Sequence, residues 1–239
     1  MLGELKTLRA WFYFDLNRVF KNIAYFDETE DPNSKSTSEF TKAEIYDKIK
    51  KDLQDAYNVL PETASQPGRF NKYVAAAIMA KVCAQTSDWA NVITYSDYVI
   101  KSGKYQLYDN FGDMSKLAFN NKKEAVLAIQ FSNNNAHINY NNLLNTTYSD
   151  GNLFGNGDDF FLGSQNLVNA FKTDKNGLPY LNNDAPADNL TDNYDGNVDP
   201  RLDFTVGRIG FPFRGHTYSK GWCRAYDVYG EYSGKKGLI

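Results

Sequence analysis

Histidine is scarce in this chain: its 239 residues include only His137 and His216. Acid–base chemistry near neutral pH would have to rest on one of these or on shifted carboxylates. Neither histidine stands in an HExxH arrangement, and no GxSxG or GxxxxGK[ST] stretch occurs. Asp158 and Asp159 are adjacent, and neighbouring carboxylates do not face each other across a glycosidic bond, so a solvated loop is expected there. "DNYDGNVD", residues 192–199, is rich in oxygen ligands, yet Tyr194 occupies the third-ligand position of a calcium loop and the closing Glu is missing. In "DPRL", residues 199–202, Arg201 reads as a structural partner for carboxylates at a loop-to-core junction. The sequence therefore nominates no catalytic residue, no metal ligand and no cofactor, and the chain reads as a binding protein, not an enzyme.

The segment with recognition chemistry is "FPFRGHTYSKGWCRAYDVYGEYSGKK", residues 211–236, where aromatic rings alternate with Arg, Lys, Asp and Gly. Sugars present flat C–H faces that stack on such rings while their hydroxyls bond to polar neighbours. Trp222, Tyr218, Tyr226, Tyr229 and Arg224 are the candidate ligand-binding residues. The same rings would also serve to pin a long loop onto the rest of the fold, and the sequence leaves both uses open.

Composition narrows the partners. A net charge of −3 with no Lys/Arg run gives no footprint for nucleic acid. No window approaches 18 consecutive apolar residues, and no signal-peptide pattern opens the chain. Cys83 and Cys223 lie far apart without metal-ligand spacing; Cys83, within "AAAIMAKVCA", reads as a small buried hydrophobe. Twenty Asn residues between Asn110 and Asn197 favour polar loops over further regular helices in that half.

Four helices are expected to carry this loop-rich half. Leu5, Leu8, Phe12, Leu16 and Val19 recur three or four residues apart and predict one buried stripe on a helix from Glu4 to Phe20. Trp11, Tyr13 and Phe14 fall off it, so that helix should be covered on more than one side, with these rings fastening later segments. Residues 31–38, "DPNSKSTS", read as a loop; a second helix over 39–58 buries Ile45, Ile49, Leu53, Ala56 and Leu60. Ala76, Ala77, Ala80 and Ala84 let a third helix approach a neighbour closely, and a fourth buries Trp89, Val92, Ile93, Val99 and Ile100 before Gly103 ends it. The last two helices span about one tetratricopeptide period. "EAVLAIQF", residues 124–131, reads as a short strand buried on both faces, and "SQNLVNAFK", residues 164–172, as a two-turn helix with Ser164 as its cap.

"GELKTLRAWFYFDLNRVF" resembles the helix signature of the SusD/RagB family. "IYDKIKKDLQDAYNVLPE", "GRFNKYVAAAIMAKVCAQTSDWANVITYSDYVIKSGKYQL", "NKKEAVLAIQF", "LVNAFKTDKNGLPY" and "DPRLDFTVGR" resemble its later segments in order. The residues after Phe20, Lys21 to Ala24, depart from the Gly-Asp-Val-Pro usual there. The resemblance implies a mostly α fold of tetratricopeptide-like helical hairpins, with a long irregular loop-rich region and a few short strands. Residues 1–110 would form the scaffold and 111–239 the ligand-facing region of one SusD-like domain. It further implies non-catalytic capture of a glycan or peptide nutrient at the surface of the outer membrane, with a SusC-like TonB-dependent transporter as partner and a lipid anchor. The family's usual length makes this sequence look like a fragment without the lipoprotein region and the C-terminal half. The alternative is a helical adaptor that only docks the transporter.

Overall fold

The computed structural model describes residues 1–20, 23–29, 31, 33, 40–66, 68–129, 162–181, 185–191, 194–213, 215–223 and 226–235. His137, Asp158, Asp159 and most of the 31–38 loop lie outside them. The chain is largely helical and forms two compact units, one of Met1–Leu107 with Asn121–Ile129, the other of Tyr108–Asn120 with the later residues.

The first unit holds α1 (Leu2–Val19), α2 (Lys42–Val59), α3 (Lys72–Gln85) and α4 (Trp89–Lys101). Each packs on the next in chain order, the arrangement of stacked helical hairpins. Local chemistry sets the starts. Thr41 caps α2 in a reciprocal capping box with Glu44. The side chains of Asn71 and Asp88 accept the Val74 and Asn91 N–H groups at the starts of α3 and α4.

Helix α1 buries the opposite face from the one its apolar periodicity predicts. Leu5, Phe12 and Val19 are 57%, 63% and 68% exposed, and Leu8 and Leu16 are exposed as well. The buried residues are Gly3, Thr7, Ala10, Phe14 and Asn17. That set has the same helical spacing, but small and polar members hide it from a count of hydrophobic residues. Small side chains let the helices approach: a Cβ on Gly3 would lie 2.9 Å from Val59 Cγ2. The polar members are bonded, Thr7 Oγ1 donating to the Gly3 carbonyl at 2.8 Å and Asn17 Nδ2 to that of Lys42 at 3.0 Å.

Helix α2 buries Ile45, Ile49, Leu53, Ala56 and Leu60 as expected, and α3 is covered on several sides, with Ala76 buried, Ala77 and Ala80 half-buried and Ala84 exposed. Helix α4 departs from expectation. Only Tyr95 is buried, Val92 and Val99 are half-buried, and Trp89, Ile93 and Ile100 face solvent. Among the described residues it packs mainly on α3, with Tyr95 and Tyr98 reaching Tyr57 of α2. Residues 124–129 are not a strand. Gln106 N–H donates to the Lys123 carbonyl and Ala125 N–H to that of Lys122, which makes a turn, and Ile129 is exposed; Gln130 and Phe131 lie outside the described residues.

The off-stripe aromatics of α1 have structural partners. Tyr13 lies 4.5 Å from the Tyr25 ring, and its hydroxyl accepts the Phe26 N–H at 2.9 Å. Phe14 packs on Tyr46 at 6.4 Å. Trp11 is half-buried with Lys81 over its ring, so its removal should cost less than the roughly 3 to 5 kcal/mol of a fully enclosed ring. Polar locks cross the same layer. Arg9 donates to both oxygens of the buried Asp52 carboxylate at 2.6 and 2.7 Å and to Glu28 at 2.6 Å. Arg69 and the Phe70 N–H donate to Glu4, which fastens the start of α1 to the loop before α3 and holds the Glu4 carboxyl down at about 2.

The second unit is built from short pieces on a small core. Helix α5 (Gln165–Asn169) starts where expected, capped by the Ser164 hydroxyl, and places Val168 against Leu190, Leu202, Val206 and Tyr232. Lys172 is buried and donates to the carbonyls of Pro186 and Asp188. Arg201 pairs with Asp199 just before α6 (Leu202–Thr205).

Two outcomes follow for the helical unit. In urea unfolding, Ile49→Ala should lose about 2 to 5 kcal/mol, whereas Phe12→Ser on the open face of α1 should change stability by less than about 1 kcal/mol. Because the Glu4 carboxyl is depressed, its contribution is complete above its ordinary value of 4.5 and disappears as pH falls through about 2. A pH series of melts should therefore decline less steeply in Glu4→Gln than in the parent across that window.

Candidate functional site

The aromatic segment folds as a compact two-layer arrangement within the second unit. Strands β2 (Pro212–Phe213) and β3 (His216–Thr217) pair antiparallel, with Phe213 opposite His216, and Gly215 takes φ +81° in the turn, a backbone region that favours glycine. The Tyr218 N–H donates to Phe211 and the Gly210 N–H to Tyr218, prolonging the ladder. A 3-10 turn over Lys220–Trp222 follows, then α7 (Tyr226–Tyr229), and β4 (Ser233–Gly234) returns to pair with β1 (Val206–Gly207).

This path puts the apolar rings in graded depth. Phe213 and Tyr218 lie inside, at 0% and 2% exposure, 5.1 Å apart. Gly207 makes room for them, since a Cβ there would lie 2.7 Å from the Phe213 ring. Trp222 is half-buried and meets Tyr218 edge-on at 5.6 Å and Phe213 at 6.4 Å. His216 is exposed and stands 6.2 Å from Trp222. Tyr226 is half-buried, with the exposed Lys220 Nζ 3.9 Å from its ring centroid, and Tyr229 is 53% exposed.

Polar contacts hold the layer from below. Lys235 Nζ donates to the Asp203 and Pro212 carbonyls, both at 2.6 Å, and burial pushes its ammonium below the ordinary lysine value. Arg208 donates to Asp203 at 2.7 and 2.9 Å, with its guanidinium 3.5 Å from the Phe211 ring. The Tyr218 hydroxyl contacts Cys223 Sγ at 3.5 Å.

Of the sequence candidates, Trp222, Tyr226 and Tyr229 reach solvent on neighbouring pieces of chain. Tyr218 supports Trp222 from inside, and Arg224 lies outside the described residues. His216 was not a candidate. Its signal was its place beside a positive-φ glycine in a two-stranded hairpin, which turns it toward the same rings. Chemically the arrangement offers stacking faces, an imidazole and an ammonium. Among the described residues no group of three His, Cys, Asp or Glu side chains could hold a metal ion. The helical unit has a separate cavity of about 380 Å³ beside the first turn of α1, but the Glu4 and Arg69 charges lining it are committed to each other.

Stacked helical hairpins followed by an irregular unit that carries surface aromatics define the fold class, and comparison with known proteins places it among relatives. Residues 1–83 match the family model described as "Starch-binding associating with outer membrane", SusD-like. A SusD-like protein of Bacteroides ovatus is 26% identical over 142 residues, 54% of this chain and 26% of that one. The crystal structure of a SusD-like protein from Bacteroides fragilis superposes with a TM-score of 0.73 at 25% identity, covering 98% of this chain and 50% of that one. A second B. fragilis structure, described as a SusD-like carbohydrate-binding protein, shares the fold at a TM-score of 0.68 and 20% identity, covering 98% and 47%. The chain is thus similar to SusD-like proteins, by sequence model over its first 83 residues and by fold over nearly its whole length. It spans about a quarter of the curated relative and half of the solved ones.

Tyr218 gives a direct check on the layered arrangement. Tyr218→Phe keeps the ring and should unfold within about 1 kcal/mol of the parent, whereas Tyr218→Ala leaves a cavity under Trp222 and should lose about 3 to 5 kcal/mol in the same denaturant titration.

Proposed function

We propose that this protein captures glycan without turning it over, at the surface of the outer membrane, and hands it to a SusC-like TonB-dependent transporter. The observation that carries this reading is Trp222, braced edge-on by the buried Phe213 and Tyr218 and flanked by His216, on a turn that also carries Lys220. A ring fixed from behind gives up little freedom when a sugar stacks on it, which favours binding. Similarity to SusD-like proteins supports the nutrient class, because the matching family is described by starch binding and by association with the outer membrane. In this reading Trp222, Tyr226 and Tyr229 touch ligand, Arg224 joins them, and Tyr218 positions Trp222. Residues 1–110 serve as scaffold and 111–239 as the ligand-facing part of one domain, carried to the membrane by a lipid anchor.

The exposed apolar face of α1 favours a second role alongside the first, helical docking of the transporter itself. Leu5, Phe12 and Val19 form a row of the kind that packs on a partner. Loss of transporter co-purification in Phe12→Ser, with glycan binding intact, would separate the two.

Calorimetric titration with an oligosaccharide panel tests the main proposal. Trp222→Ala should weaken binding by about tenfold or more, equivalent to about 1.4 kcal/mol, while Trp222→Phe retains most of it and melts near the parent. Affinity unchanged in Trp222→Ala would remove Trp222 from the site, and a panel without any binder would overturn glycan capture.

A further inference from the structure

The glycan reading leaves the charge of the ligand open, and the surroundings of Trp222 bear on it. In sequence, residues 211–236 carry Arg214, Lys220, Arg224, Lys235 and Lys236 against Asp227 and Glu231, in a chain whose net charge is −3; Arg214, Arg224 and Lys236 lie outside the described residues. Basic side chains are therefore concentrated in the segment that also holds the exposed rings. Within it Lys235 is committed to two backbone carbonyls, and Glu231 is nine-tenths buried. Lys220 is exposed on the same 3-10 turn as Trp222, with its ammonium over the Tyr226 ring.

A neutral sugar would use the rings and could accept a hydrogen bond from this ammonium, but it would form no ion pair with it. A uronate or sulfated sugar keeps a flat C–H face for stacking and adds an anionic group. The exposed ammonium beside the stacking rings can pair with that group. We propose that the Trp222 site selects acidic polysaccharide, carrying carboxylate or sulfate, over neutral glycan. This rests on the glycan-capture reading above and gives that site a ligand class.

Matched polymers isolate charge from backbone: polygalacturonate against its fully methyl-esterified form, and dextran sulfate against dextran, titrated into the full chain. The expected result is about tenfold or greater preference for the charged member of at least one pair at about 0.01 M salt, largely lost at about 1 M, where the screening length falls from about 30 to about 3 Å. The pair that responds tells whether carboxylate or sulfate is read. Lys220→Gln should weaken the charged member by about two- to fivefold and leave the neutral one unchanged, and Trp222→Ala should weaken both. Equal binding of both members overturns acidic selectivity while leaving glycan capture standing. Charged binding that survives Trp222→Ala undiminished is general ion exchange and also overturns it. Absence of binding by any of the four polymers and by the oligosaccharide panel overturns both.

Discussion

The helical unit depends on one buried carboxylate. Asp52 faces inward from α2, and α1 meets both its oxygens, Arg9 Nη2 donating to Oδ1 and Nε to Oδ2. Tyr25 Oη, on the chain that leaves α1, reaches the same oxygen at 3.4 Å. A carboxylate held out of water is costly unless its lone pairs are filled, so α1, α2 and the connector are bound to a single mutual arrangement. Burial, with the Asp52 charge second, pushes the Tyr25 phenol above its ordinary value and keeps it a neutral hydrogen-bond donor. Hydrophobic burial by α2 supplies the larger driving force, but it does not by itself choose the rotation of α1. The Arg9–Asp52 pair does.

That division explains which parts of the fold could be read from residues alone. Helix α2 was legible because its core side is made of large apolar residues at regular spacing. The rotation of α1 was not, because Gly3, Thr7, Ala10 and Asn17 are chosen for close approach and for hydrogen bonds, and a hydrophobic stripe of equal period runs down the opposite side. Helix α4 misleads for a related reason: apolar side chains on a helix packed mainly against one neighbour look identical to core residues until the neighbour is counted. The 124–129 segment has the composition of a strand but lies in a turn. The cap at Ser164 was a faithful signal, because it acts through a local hydrogen bond that tertiary packing rarely overrules.

At the candidate site the sequence singled out the aromatic segment but not the depth of each ring. Tyr218, Trp222, Tyr226 and Tyr229 look alike as members of an aromatic loop, and only the space left above Gly207, filled by Phe213 and Tyr218, separates support from surface. His216 and Tyr218, two residues apart, share the face of Phe213, but His216 sits at the turn and stays exposed beside Trp222 while Tyr218 is enclosed. Such sorting depends on which positions the fold encloses, and strands two residues long leave too little alternation to reveal it.

The Glu4–Arg69 clasp joins positions 65 residues apart and touches α1 and the approach to α3 without passing through α2. Stacked hairpins linked only to adjacent members can fray from an end, one piece at a time. Here the outermost helix is tied across its neighbour, so its release must also disturb the loop that launches α3. The clasp adds a link that bypasses α2, so α1 cannot peel away without also losing its hold on the approach to α3.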